Sequence, residues 1–250
     1  GAWLDNLKIP MTGPWRLATE LPMDRSLLGE PRPTQVDALA EASHGIVLFE
    51  CKFCEPDGGS CSQPKALTRG AHKGQRQCNG NYESQINPIT GEVAHCALSG
   101  KGVRYWQWIP DVISVDPEAS HRPCPFAGGW YQWMRNLVVA RALADKCHKT
   151  PAFVIVYADG NFPMAKKVGQ PEWRHFLEAV YGREVPLRVV SYQSLLDEAI
   201  SATAGKENAL LQDLKAWIFR KIADAENQQM RGFYWAGDPP TADISRRDGG

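Results

Sequence analysis

Two segments decide the fold: Gln35-Val36-Asp37-Ala38-Leu39 and Gly45-Ile46-Val47-Leu48-Phe49-Glu50-Cys51-Lys52. The second opens with a run, Gly45 to Phe49, that is apolar on both of the faces a strand presents. Such a run suits a strand buried in the middle of a sheet. Side chains alternate along a strand, so Glu50 and Lys52 share one face and Cys51 points to the other. A buried strand that ends in a carboxylate and an ammonium needs those charges paired or metal-bound, because burying isolated charge is costly. Asp37 lies on a shorter strand, Thr34 to Ala40, and a turn-like Glu41-Ala42-Ser43-His44-Gly45 joins the two. An antiparallel hairpin of this kind brings Asp37 beside Glu50 across twelve intervening residues. Two carboxylates and a lysine then meet at one end of a sheet, a hard-cation site with an amine beside it. The plainer alternative is a salt bridge at a solvated strand end.

An Asp followed by Glu-x-Lys on the next strand resembles the PD-(D/E)XK nuclease superfamily, which includes many restriction endonucleases and repair exonucleases. The resemblance spans roughly residues 15–160 and rests on Asp37, Glu50 and Lys52 in their strand context. Pro33 and Asp37 are not adjacent, so the literal Pro-Asp pair is missing. The resemblance implies an α/β fold, with a mixed central β-sheet flanked by helices in a restriction endonuclease-like core. It implies hydrolysis of DNA phosphodiester bonds with Mg²⁺ or Mn²⁺, in the service of restriction or phage defence. Asp37 and Glu50 would hold the magnesium, with the Cys51 carbonyl as a further ligand, and Lys52 would orient the attacking water. Glu20, read as part of a short helix near Trp15 to Leu21, would supply a third carboxylate. Glu30 competes for that role, and a solvated face is the alternative for Glu20. Relatives often carry a polar residue on the helix after the Glu-x-Lys strand. Here Gln132 would orient water and Arg135 would touch phosphate, with Gln77 the choice if that helix lies at Gly74 to Gln77 instead.

Composition bounds the rest. Hydrophobic residues fill 43% of 250 positions, enough for one nuclease-like domain with an insertion. Basic and acidic residues balance at 28 each, so any nucleic-acid contact must come from a local patch. No apolar stretch reaches the roughly 18 residues of a membrane span. No basic segment followed by an apolar core opens the sequence, so a secretory signal is not expected. Seven cysteines without such a signal point to reduced or metal-bound thiols and a cytoplasmic setting. Oligomeric state stays open, a homodimer included.

Residues 54–127 are rich in Gly, Cys, Asn and Pro and read as a cysteine-rich insertion. A hairpin is expected in it, Glu92 to Leu98 and Val103 to Ile109. Cys61, Cys78, Cys96 and Cys124 could hold Zn²⁺ or an iron–sulfur cluster. Their intervals of sixteen, seventeen and twenty-seven residues contain no Cys-x-x-Cys pair, and buried reduced thiols are the alternative. His72, His95 or His121 could replace one of them. Cys51 and Cys147 read as core. Lys65, Arg69, Lys73 and Arg76 could track a nucleic-acid backbone, and Tyr105, Trp106 and Trp108 could stack on bases. The plainer readings are a solvated loop and core aromatics.

Beyond the insertion, helical periodicity over about 129–147 and an apolar strand at Ala152 to Tyr157 are followed by a helix from Pro171. A strand at Leu187 to Val190, a helix capped by Ser191 or Ser194 and a last helix through Leu210 to Ile222 complete the pattern. The tail from Gly237 reads as disordered. A second function class stays open: a non-catalytic cysteine-metal module that binds nucleic acid or protein.

Overall fold

The computed structural model describes residues 14–230. The strands are β1 (Arg16–Pro22), β2 (Gln35–Glu41), β3 (Gly45–Lys52), β4 (Gln85–Ile86), β5 (Val93–Ala94), β6 (Thr150–Tyr157) and β7 (Leu187–Ser191). The helices are α1 (Tyr105–Val112), α2 (Tyr131–Cys147), α3 (Pro163–Val168), α4 (Pro171–Val180), α5 (Tyr192–Ser201) and α6 (Gly205–Met230). Five strands form one mixed sheet in the order β1-β2-β3-β6-β7. The first three pair antiparallel, whereas β3, β6 and β7 run parallel. This is the α/β architecture that the alternation of apolar strands and periodic helices implied.

The central strand behaves as its sequence dictates. Ile46 and Leu48 face a large core with Leu137, Phe153 and Ile155, while Val47 faces a smaller one with Ala152, Val154 and Val156. A strand covered on both faces can afford no polar residue until it ends, and Glu50 stands where it ends. Helix α2 is the crossover that carries the chain from β3 to β6, as parallel strands require. Its first N–H groups have no partner within the helix. The loop after β3 supplies them: Tyr131 N–H donates to the Gly59 carbonyl at 3.1 Å and Gln132 N–H to the Gly58 carbonyl at 2.7 Å. The same loop presses on Trp133, so the start of α2 is fixed against the end of β3. Ser191 caps α5 by accepting from Ser194 N–H at 3.1 Å.

Three expectations need correction. The segment Trp15 to Leu21 is not a helix; it is the body of edge strand β1. The expected hairpin arm from Val103 to Ile109 is helix α1. Val103, Tyr105 and Ile109 share the parity of one strand face, but within the helix Tyr105, Trp106, Ile109 and Val112 are the residues buried, and they fall on one helical face. Tyr105 and Trp106 are therefore core residues, and Trp108 is partly covered with the Arg141 guanidinium 5.1 Å from its ring. Cys147 is exposed, because α2 ends there and leaves its last turn in solvent. The tail from Gly237 lies outside the described residues.

Candidate active site

The antiparallel register pairs Ala38 with Phe49, so one further step sets Asp37 opposite Glu50. The ladder stops before that step. Asp37 Oδ2 accepts the Cys51 N–H at 2.6 Å instead, which pulls one carboxylate onto the end of β3. On the other side of β2, Thr19 pairs with Ala38 and Leu21 with Val36, which sets Glu20 opposite Asp37. That pairing is also missing, and Glu20 has a left-handed φ of 51°. Such a φ is uncommon for a residue with a side chain and is a form of stored strain. Three acidic residues thus stand in a row across three strands, at the one place where both ladders open. The Glu20 carboxylate itself is exposed and takes a hydrogen bond from Gln35 Nε2 at 2.5 Å. Its place in the row comes from a strand, where a helix was expected.

Glu50 and Lys52 are almost fully buried, at 3% and 5% exposure. Lys52 Nζ lies 2.8 Å from Glu50 Oε1 and 5.6 Å from the centre of the Trp133 ring. Glu50 Oε2 accepts from Asn136 Nδ2 at 2.7 Å. Burial pushes the Glu50 carboxyl above its ordinary value; Lys52 works against that rise, Asp37 adds to it, and the Asn136 hydrogen bond opposes it. Asn136 has no exposed surface, and its Oδ1 has no hydrogen-bond partner. An amide that spends one buried oxygen unpaired to hold a carboxylate is costly for folding alone.

Asn136 is the residue that sequence reasoning missed. Gln132, expected to serve the site, lies one helical turn earlier, half-buried, and its side chain has no hydrogen-bond partner among the described residues. The available signal was an amide at the head of the apolar run Leu137-Val138-Val139-Ala140. Arg135 stands with its guanidinium 5.5 Å from the Tyr131 ring, and its Nε is buried without a partner. No helix forms at Gly74 to Gln77, so Gln77 has no helix to present it. Glu30 is committed elsewhere. It is buried and accepts from Thr34 Oγ1 at 2.6 Å and from the Tyr105 hydroxyl at 2.5 Å.

The Cys51 side chain faces away from Glu50, among Val47, Val154 and Tyr192, as its strand parity required. Lys65, Arg69, Lys73 and Arg76 are exposed on turns between β3 and β4. None of the four has an acidic partner among the described residues. Cys61, Cys78, Cys96 and Cys124 all line one cavity. Burial pushes the Cys61 thiol up to about 11 and the Cys124 thiol up to about 12. His95 lines the same cavity, whereas His72 is turned to Gln75 and His121 to the Asp116 carbonyl. Among the described residues, no three His, Cys, Asp or Glu side chains are already gathered tightly enough to grip an ion.

A mixed five-stranded sheet in this order, flanked by helices, is the α/β architecture of a restriction endonuclease-like core. Residues 22–221 match the REase-ARP family, described as Restriction Endonuclease associating with ARP, and the chain belongs to that family. Comparison with curated proteins and with solved structures gives no match.

Proposed function

We propose that this chain is a Mg²⁺-dependent endonuclease that hydrolyses DNA phosphodiester bonds in restriction or phage defence. The observation that carries the reading is the buried Glu50–Lys52 pair held by Asn136 with Asp37 drawn alongside. A buried ion pair is a weak source of stability, and a second carboxylate beside it makes matters worse. A bound cation reverses that balance.

The residues fit a hard cation. Asp37 uses only Oδ2, which leaves Oδ1 free among the described residues. The N–H and C=O of a strand residue point to the same edge, so the Cys51 carbonyl shares the edge where Asp37 meets its N–H. Together with Glu50 these are oxygen donors, and Mg²⁺ takes one or two carboxylates while keeping several waters. When bound, the ion would neutralise the scissile phosphate and make its water a better nucleophile. Lys52, fixed by Glu50 and Trp133, would orient that water and steady the charge that develops on phosphorus oxygens. Asn136 would hold Glu50 in place. Lys65, Arg69, Lys73 and Arg76, without acidic partners among the described residues, would contact the DNA backbone together with Arg135, and such contacts weaken with salt.

The purified protein with Mg²⁺ or Mn²⁺ should nick or cut supercoiled plasmid and leave 5′-phosphates. Asp37→Ala, Glu50→Ala and Lys52→Ala should each abolish cutting while the far-ultraviolet circular dichroism is retained. Cleavage at wild-type rate by Glu50→Ala would sink the proposal and favour the non-catalytic binding module, with Glu50 and Lys52 as a structural pair.

A further inference from the structure

The four cysteines that converge have no part in the proposed hydrolysis. They come from four separate turns of the chain, yet Cys61, Cys78, Cys96 and Cys124 line one cavity with His95, Leu98 and other neighbours. No Asp, Glu, Lys or Arg lines it, so the only strong ligands are soft sulfur and one imidazole. That donor set disfavours Mg²⁺ or Ca²⁺ and suits zinc or iron–sulfur chemistry.

A further observation points to a ligand: His95 lines the same cavity, and its Nδ1 is buried without a partner among the described residues. A sulfur ligand in the cavity would give it one.

The space favours a cluster over a single ion. One zinc would draw four sulfurs to about 2.3 Å from a common point, which leaves no room for a water between them. The cysteines here instead ring a cavity of about 30 Å³. That exceeds the roughly 10–15 Å³ that one water needs. We infer that Cys61, Cys78, Cys96 and Cys124 ligate an iron–sulfur cluster that ties the turns between β3 and α2 together. Ligation replaces four S–H protons with four Fe–S bonds and releases the protons to solvent. None of Asp37, Glu50, Lys52 and Asn136 lines this cavity, so metal binding there does not depend on the proposed hydrolysis.

The full chain should be purified without oxygen and assayed for iron, acid-labile sulfide, zinc and visible absorption. Anaerobic reconstitution with ferric iron, sulfide and a thiol reductant serves as a second arm if it arrives colourless. Expected is a brown protein with about two or four iron ions and as many sulfides per chain. Cys96→Ser should lose most of the iron, while Cys147→Ser, at an exposed helix end, and Glu50→Ala should keep it. If Cys96→Ser does not fold, the wild-type iron and sulfide content still decides. About one zinc per chain without sulfide would overturn the cluster, and so would a folded chain that takes up neither metal and titrates all four thiols.

Discussion

Asn136→Ala tests the site from the side the motif does not include. The wild-type amide donates 2.7 Å to a carboxylate oxygen that is itself buried, with Asn136 fully enclosed. A hydrogen bond to a charged group contributes about 1.5–3 kcal/mol. Neither partner is exposed, so solvent screening gives no discount. For a domain of this size each kcal/mol moves the melting temperature by about 2–4 °C, so a drop of about 3–12 °C is expected. Glu50 keeps Lys52 but loses the contact that fixes its other oxygen. A misplacement of about 1 Å at a reacting centre can cost on the order of 100-fold in rate. The loss should fall on kcat, with KM for DNA nearly unchanged, because Asn136 is fully enclosed and acts through Glu50. Calorimetry and single-turnover plasmid cleavage read the two effects. Gln132→Ala is the control. It removes no side-chain hydrogen bond and should stay within about 0.5 kcal/mol of wild type. An Asn136→Ala protein that melts and cuts like wild type, or a Gln132→Ala protein that loses more, would refute the assignment of Asn136 as the residue that positions Glu50.

Glu50 also makes stability depend on pH and metal together. Its folded value is raised above 4.5, so its contribution to stability is fully present below that pH and is lost as pH rises through the folded value. Without divalent ions the melting temperature should therefore fall over that window in wild type relative to Glu50→Gln. Millimolar Mg²⁺ should cancel the fall, and an identical pH profile in the two proteins would count against a buried ionisable Glu50. A third expectation concerns Gly58, where an added Cβ would lie 2.7 Å from Trp133 Cε2 and 2.9 Å from the Gly129 carbonyl oxygen. Carbon contacts prefer about 3.5–4.0 Å. Gly58→Ala must therefore displace the ring beside Lys52, at a cost of about 1–3 kcal/mol and with slower cleavage. Gly169→Ala, with its nearest neighbour at 3.6 Å, should change neither thermal melting nor cleavage.

The sequence by itself settled what depends on neighbours along the chain. Periodicity and turn residues placed β2, β3, α2, β6, α4, β7 and α5, and strand parity put Glu50 and Lys52 on one face and the Cys51 side chain on the other. A hairpin of fixed register then brought Asp37 to Glu50. Local pattern does not separate strand from helix where both periods fit, which is why β1 reads as a helix and α1 as a strand in the sequence alone. It also could not measure distance in space. Asn136 follows Glu50 by 86 residues, and only the crossover of α2 against β3 turns its amide onto that carboxylate. Glu20 reaches the acidic row because β1 pairs with β2, a choice made by the whole sheet. The four cysteines lack the close spacing that would announce a metal site. They meet because four turns fold over one another, and contacts between residues so far apart in the chain are set by the packing of the entire domain.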